Sequence, residues 1–204
     1  MMNYNEYRRA SRAVCVGREG TSALLVGGDA PLSGQTMLNV PTDDREACLS
    51  QALRLQAAGA QIIRVTVPAP AHAAIFAYLH EHGVTVPVVA DIHFDYRAAL
   101  ESVAAGADKI RINPGNIGGD ERVRAVADAC RCAGVPIRIG VNGGSLEQSI
   151  LAKYGSPTPE ALCESALYHA SLLEKFDFSD DFQYVKDLFL TSDYAVATLK
   201  TTLA

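Results

Sequence analysis

Four short β-branched runs carry polar residues along one side. Within residues 62–67 Arg64 alternates with Thr66, and within 88–93 Asp91 alternates with His93. Within 110–114 Arg111 alternates with Asn113, and within 137–142 Arg138 alternates with Gly140 and Asn142. Side chains two apart on a strand share a face. Each run therefore turns Ile and Val to one side and these polar groups to the other, near its C-terminal end. The steps Arg64 to Asp91, Asp91 to Arg111 and Arg111 to Arg138 are 27, 20 and 27 residues, each the length of one strand-plus-helix unit. A single arginine in a parallel strand reads as an ion-pair partner, or as a buried stem with its head in water. Three in equivalent positions read differently. Guanidiniums close together repel unless an anion sits among them, and Asp91 is the one nearby carboxylate. Counting Arg64, Arg111, Arg138 and Asp91, the local charge is +2 on a chain of net charge −5. The chemistry implied is bidentate binding of a doubly charged group such as phosphate or diphosphate. His93 reads either as a strand-end partner of Asp91 or as a hydrogen-bond donor to a ligand. The glycine-rich segment 114–119 could cradle an oxyanion through backbone N–H groups, although any tight strand-to-helix turn uses glycine.

The elements that would hold these groups alternate along the chain. Strands are expected at 32–39, 61–67, 86–93, 109–113, 136–142 and 182–190, and helices at 43–58, 69–82, 96–105, 120–133, 159–176 and 194–203. Gly59, Gly83, Gly106 and Gly134 stand just past helix ends. Thr158 before Pro159 reads as a helix start. Ser145 and Gln148 could form a capping box for a short helix at 146–154. Strand–helix repetition means parallel strands with crossover helices. No Gly-x-Gly-x-x-Gly turn follows a first strand, which counts against a dinucleotide-binding sheet. Polar groups at successive strand ends instead suit a barrel mouth. The expected fold is α/β, a TIM-type (β/α)8 barrel of which residues 1–204 hold about six β/α units in one domain.

Composition narrows the function classes. Of 204 residues, 49% are hydrophobic and 20% charged, which fits a globular chain with a sizeable core. No apolar run approaches the ~18 residues of a membrane helix, and the polar start has no secretory character. Eighteen Lys and Arg against a net charge of −5 argue against nucleic-acid binding by bulk charge. Five cysteines without framework spacing fit reduced thiols in a cytoplasm. Cys130 and Cys132 lie two apart on a helical stretch and cannot both face one metal. Cys15, Cys48 and Cys163 are isolated, so all five read as small buried or half-buried thiols.

Several segments together carry a resemblance. They are Arg8-Arg9 with Arg12, Gly27-Gly28, Ala30-Pro31, the ADIHFDYR run from Ala90, the RINPGNIG run from Arg111, the PIRIGVNGGSL run from Pro136, and Lys153-Tyr154-Gly155. From about residue 7 to about residue 175 the chain resembles hydroxymethylbutenyl diphosphate synthase, the iron–sulfur enzyme family of the methylerythritol phosphate route to isoprenoids. The resemblance implies a (β/α)8 barrel similar to dihydropteroate synthase. Its mouth would bind 2-C-methyl-D-erythritol 2,4-cyclodiphosphate, with Arg64, Arg111 and Arg138 on the diphosphate and Asp91, His93, Asn113 and Asn142 around the substrate. It also implies a 4Fe–4S cluster on a separate C-terminal domain, electrons from flavodoxin or ferredoxin, a homodimer, and a two-electron reductive ring opening with loss of a hydroxyl as water.

The chain departs from the family pattern in three places. The family's first strand reads Gln-Ser-Met-Thr-Asn-Thr; here Gln35-Thr36-Met37-Leu38-Asn39-Val40 keeps Gln and Asn but puts Leu38 and Val40 at hydroxyl positions. A family Lys-x-Ser-Asp on strand six maps either to Lys186 or, anchored on Ser192-Asp193, to Leu190. None of the five cysteines matches a cluster cysteine, and the expectation is a chain without the cluster domain. An open set of strands would also favour self-association. Three readings stay open: the substrate-binding part of the reductive synthase, a non-redox cyclic-diphosphate or phosphosugar binder, and an inactive remnant.

Overall fold

The computed structural model describes residue 11 and residues 13–176. Its centre is a parallel sheet of β3 (Gln35–Met37), β4 (Ile62–Thr66), β5 (Val88–Ile92), β6 (Lys109–Ile112) and β7 (Ile137–Ile139), each strand beside its successor in the chain. Parallel neighbours need crossovers. Here α1 (Arg45–Ala57) joins β3 to β4, a 3₁₀ turn (Pro70–Ala74) running into α2 (Ile75–Glu81) joins β4 to β5, and α3 (Tyr96–Ala104) joins β5 to β6. The one-turn α4 (Pro114–Ile117) and then α5 (Asp120–Ala133) lead to β7. After β7 come a 3₁₀ turn (Gly143–Ser145), α6 (Gln148–Tyr154) and α7 (Pro159–Lys175).

Strand alternation sorts the sheet's two faces. Ile63, Val65, Val88, Ala90, Ile92, Ile110, Ile112 and Ile137 enter one apolar core with Phe76 and Leu79 of α2, Ala98 and Ala99 of α3, and Val123 and Val126 of α5. Each fully buried Ile or Phe contributes roughly 1.5–3 kcal/mol by leaving water, so this face fixes the register. The opposite face keeps Arg64, Asp91, Arg111 and Arg138. Helix ends follow local chemistry. Asp44 accepts the Ala47 N–H at 2.9 Å to start α1, and Thr158 Oγ1 accepts the Ala161 N–H at 3.2 Å to start α7, with Pro159 in its first turn. Gly134 ends α5 at φ 65°, a left-handed geometry that glycine adopts without strain.

The expected strands and helices are found within a few residues of their ends, with four differences. The expected strand 32–39 shortens to three residues, and Leu32 is 89% exposed. The expected helix 69–82 opens as a 3₁₀ turn from Pro70, whose ring fixes the first turn and has no N–H to give. The capping box at Ser145 does not form: Glu147 precedes α6 without a side-chain cap, and Ser145 bonds elsewhere. An N-terminal hairpin, β1 (Val14–Val16) paired antiparallel with β2 (Leu24–Val26), was not expected. It abuts the sheet's N-terminal end, where Ser22 N donates to Thr85 O at 2.6 Å and Arg18 Nε lies 3.7 Å from buried Asp108. Asp108 in turn accepts the Val88 N–H at 2.8 Å. The hairpin therefore lies at the opposite end of the sheet from the polar strand ends. The expected elements at 182–190 and 194–203 lie outside the described residues. Among the described residues no helix is long and apolar enough to cross a membrane.

Candidate functional site

Register decides which polar side chains meet. Thr66, Asp91, Arg111 and Arg138 are successive Cα partners across β4, β5, β6 and β7. Arg64 partners Val89, and Val89 partners Lys109, so Arg64 stands two residues below that row. The expectation of three arginines at one level thus holds for Arg111 and Arg138 and not for Arg64. Equal steps along the chain do not impose equal register, because each connection absorbs its own residues. The long Arg64 side chain makes up the difference.

Asp91 is the hub. Its side chain is 3% exposed; Arg111 Nη1 donates to its Oδ1 at 3.1 Å, and Arg64 Nε lies 3.3 Å from its Oδ2. His93 Nε2 stands 3.6 Å from the same Oδ2, past hydrogen-bond distance, with its side chain 43% exposed. His93 therefore remains turned to water at the strand end. Arg64 also directs Nε and Nη2 at Met37 Sδ, at 3.3 and 3.0 Å. Leu38, at one of the family's hydroxyl positions, is buried in the core, while Asn39 Oδ1 accepts from Gln51 of α1 at 2.6 Å.

Two contributors were missed in the sequence. Lys109 is buried and, two residues before Arg111, shares its face. This face thus carries four cations, Arg64, Lys109, Arg111 and Arg138, with Asp91 set between Arg64 and Arg111. The other is Gly140, just past β7. Its N–H donates to Ile112 O at 2.8 Å, and the Arg111 guanidinium lies across its Cα: a Cβ there would come within 2.5 Å of Arg111 Cζ. The only signal in the sequence was a glycine on the polar side of a strand end. Gly140→Ala should push Arg111 off Asp91, weakening anion binding by about fivefold and costing about 1–3 kcal/mol of stability by overpacking. Titration with pyrophosphate and a urea midpoint read the two effects; unchanged affinity would show that Arg111 does not need this seat.

The two asparagines are tied together. Asn113 is buried, its Oδ1 accepting the Gly115 N–H at 3.2 Å and its Nδ2 donating to Ser145 Oγ. Ser145 Oγ in turn donates to Asn142 Oδ1 at 2.9 Å. Ser145, read in the sequence as a helix cap, is instead the bridge between them. Of the N–H groups in 114–119, that of Gly115 is taken by the Asn113 side chain and that of Asn116 by Asn113 O at 2.9 Å, so neither is free to cradle an oxyanion. Asp95 and Arg97 of the ADIHFDYR run start α3. Asp95 Oδ1 accepts the Arg97 N–H at 3.0 Å, and the guanidinium on both oxygens holds its carboxyl below the usual range. Lys186 and Leu190 lie outside the described residues.

The family model described as the GcpE TIM-barrel domain matches residues 12–191. This chain belongs to the GcpE family. It is 53% identical over 173 residues to the 4-hydroxy-3-methylbut-2-en-1-yl diphosphate synthase (flavodoxin) of Azotobacter vinelandii, covering 85% of this chain and 45% of that protein. It is 52% identical over 183 residues to the enzyme of the same name from Acidiphilium cryptum, covering 88% and 47%. The chain thus spans less than half the length of these GcpE relatives. The dihydropteroate synthase of Xanthomonas albilineans shares the fold, with TM-score 0.50 and 18% identity over 79% of this chain and 61% of that one. The expected α/β barrel class is thereby established.

The cluster implied by the resemblance finds no donor set among the described residues. Among the described residues no group of three or more His, Cys, Asp or Glu could hold a metal ion. Cys48, Cys130 and Cys163 are buried, and burial pushes all three thiols up, with Asp44 adding at Cys48 and Glu160 at Cys163. Cys130 is buried and Cys132 exposed, as their two-residue spacing on α5 requires. A protonated thiol packed in an apolar core is a small hydrophobe, not a ligand.

Proposed function

We propose that residues 1–204 form a single barrel domain that binds the substrate of a 4-hydroxy-3-methylbut-2-en-1-yl diphosphate synthase. The observation that carries this is the Asp91 hub, which gathers Arg64 and Arg111 at the strand ends beside the register partner Arg138. Arg64, Arg111 and Arg138 hold the diphosphate of 2-C-methyl-D-erythritol 2,4-cyclodiphosphate, joined by Lys186. Asp91, His93, Asn113 and Asn142 surround the rest of the substrate. In the whole enzyme the reaction is reductive ring opening and dehydroxylation in isoprenoid biosynthesis, in the cytoplasm. Flavodoxin, named for the relatives, or ferredoxin supplies electrons, and two subunits assemble. This chain's residues bind, orient and neutralise charge. Asp91 keeps the guanidiniums apart from one another until the anion arrives, and the forks then contact phosphate oxygens two at a time.

The absence of a fitting donor set among the described residues favours one refinement. By itself this chain binds the cyclic diphosphate without redox chemistry. Two measurements test the proposal. Thermal shift and titration should rank the cyclic diphosphate above pyrophosphate, and pyrophosphate above a sugar monophosphate. A monophosphate ranked first would make the site a phosphosugar binder. Anaerobic reconstitution should leave the chain without stoichiometric iron, because a 4Fe–4S cluster needs about four well-placed ligands. Visible cluster absorption would overturn that refinement.

A further inference from the structure

A polar pair, half-buried Glu147 and buried His169, stands behind the Asn113–Ser145–Asn142 chain. Glu147, just before α6, bonds through Oε1 to Nε2 of His169, which lies in α7 and is 3% exposed. The pair ties α7 to the segment after β7, and both side chains press on the loop after β6. A Cβ on Gly115 would come within 2.9 Å of Glu147 Oε1, 3.4 Å of Asn113 Oδ1 and 3.5 Å of His169 Nε2. Carboxylate, imidazole and amide thus converge on Gly115, whose N–H the Asn113 side chain accepts.

The pair is poorly explained as packing. Glu147 Oε2 and His169 Nδ1 are both buried, with no hydrogen-bond partner among the described residues. Orphaned buried polar atoms cost stability that apolar residues of similar volume would not. Burial holds the His169 pKa below its ordinary value, against the opposing pull of Glu147 and Asp120. The ring is then neutral at pH 7, donating Nε2–H to the carboxylate. What such a bond supplies is direction: it sets where Glu147 lies, and Glu147 sets how closely the Gly115 backbone approaches.

We propose that the Glu147–His169 hydrogen bond is a positioning element for the substrate. It seats the loop at Gly115, and through Asn113 and Ser145 it orients the Asn142 amide toward the part of the ligand that is not diphosphate. For its ligand the proposal rests on the function proposed above; for its geometry it does not.

The test uses the full chain, labelled with nitrogen-15, and the variants His169→Ala, His169→Gln and Glu147→Ala. In His169→Ala the Gly115 backbone amide and the Asn113 side-chain amide should shift. Affinity for the cyclic diphosphate should fall about fivefold, the scale of one lost hydrogen bond, with pyrophosphate affinity within about twofold. His169→Gln keeps an N–H donor and should restore both the resonances and the affinity. Glu147→Ala removes the other partner and should reproduce the selective loss, which keeps the test decisive if His169→Ala does not fold. Unshifted resonances, an equal loss for both ligands, or a folded His169→Gln without rescue would each overturn the proposal. If the wild type binds neither ligand, the anion-site reading fails, and the resonances alone decide: a shift in His169→Ala restored by Gln supports the positioning role, and no shift refutes it.

Discussion

Replacing Asp91 by Asn should destabilise the chain by about 3 kcal/mol and make its folding depend on added anion. The carboxylate is 3% exposed and is the counter-charge for Arg111 and Arg64, whose side chains are 14% and 26% exposed. Removing one partner of a buried pair strands the other charge, at a typical cost of about 3–5 kcal/mol. Arg64 retains some contact with water, which favours the lower end. Asparagine keeps the shape and loses the charge, so Arg64 and Arg111 lose the counter-charge they share and repel. An anion that binds only the folded state can replace the carboxylate: at one hundred times its dissociation constant it returns about 2.7 kcal/mol. Urea unfolding with and without pyrophosphate reads both effects. A variant as stable as wild type and indifferent to pyrophosphate would show that the arginines do not depend on Asp91.

The second large effect concerns ligand binding. Arg111 and Arg138 are Cα partners on adjacent parallel strands, so their side chains leave the sheet side by side. Like charges placed opposite on a sheet are unfavourable, and a diphosphate between two forks reverses the sign. A charge-assisted contact is worth roughly 1.5–3 kcal/mol, with the lower end expected at a mouth partly open to water. Arg111→Met or Arg138→Met should therefore weaken diphosphate binding by about tenfold, corresponding to ~1.4 kcal/mol. Lysine at either position should recover only part of the loss, because it keeps the charge and loses the fork. If Arg138→Met binds like wild type, Arg138 is a structural residue of β7 and the site is built by β4, β5 and β6.

What could be read in the sequence follows from the range of the forces involved. The β-branched runs around Ile63, Val88, Ile110 and Ile137 and the glycine after Ala133 act over a few residues, so β4 to β7 and the end of α5 were visible. The hairpin was not: three residues each at Val14–Val16 and Leu24–Val26 are too few to show alternation. The level of Arg64 was misread because register depends on connections that chain spacing does not measure. Lys109 opens its strand, and only the packing around it shows that it is buried. Ser145 shows its role only when the loops after β6 and β7 meet, and Glu147 and His169 only when α7 packs back on them; Glu147 and His169 are 22 residues apart, and nothing local pairs them.

The central claim is that the strand ends gathered around Asp91 form a diphosphate site complete within this chain. Calorimetric titration of the folded wild type and Arg111→Met with 2-C-methyl-D-erythritol 2,4-cyclodiphosphate, at low and moderate salt, tests it most directly. The account predicts one site per chain, affinity that falls with salt, and about tenfold weaker binding in the variant. A folded wild type that takes up no cyclic diphosphate at either salt would contradict it.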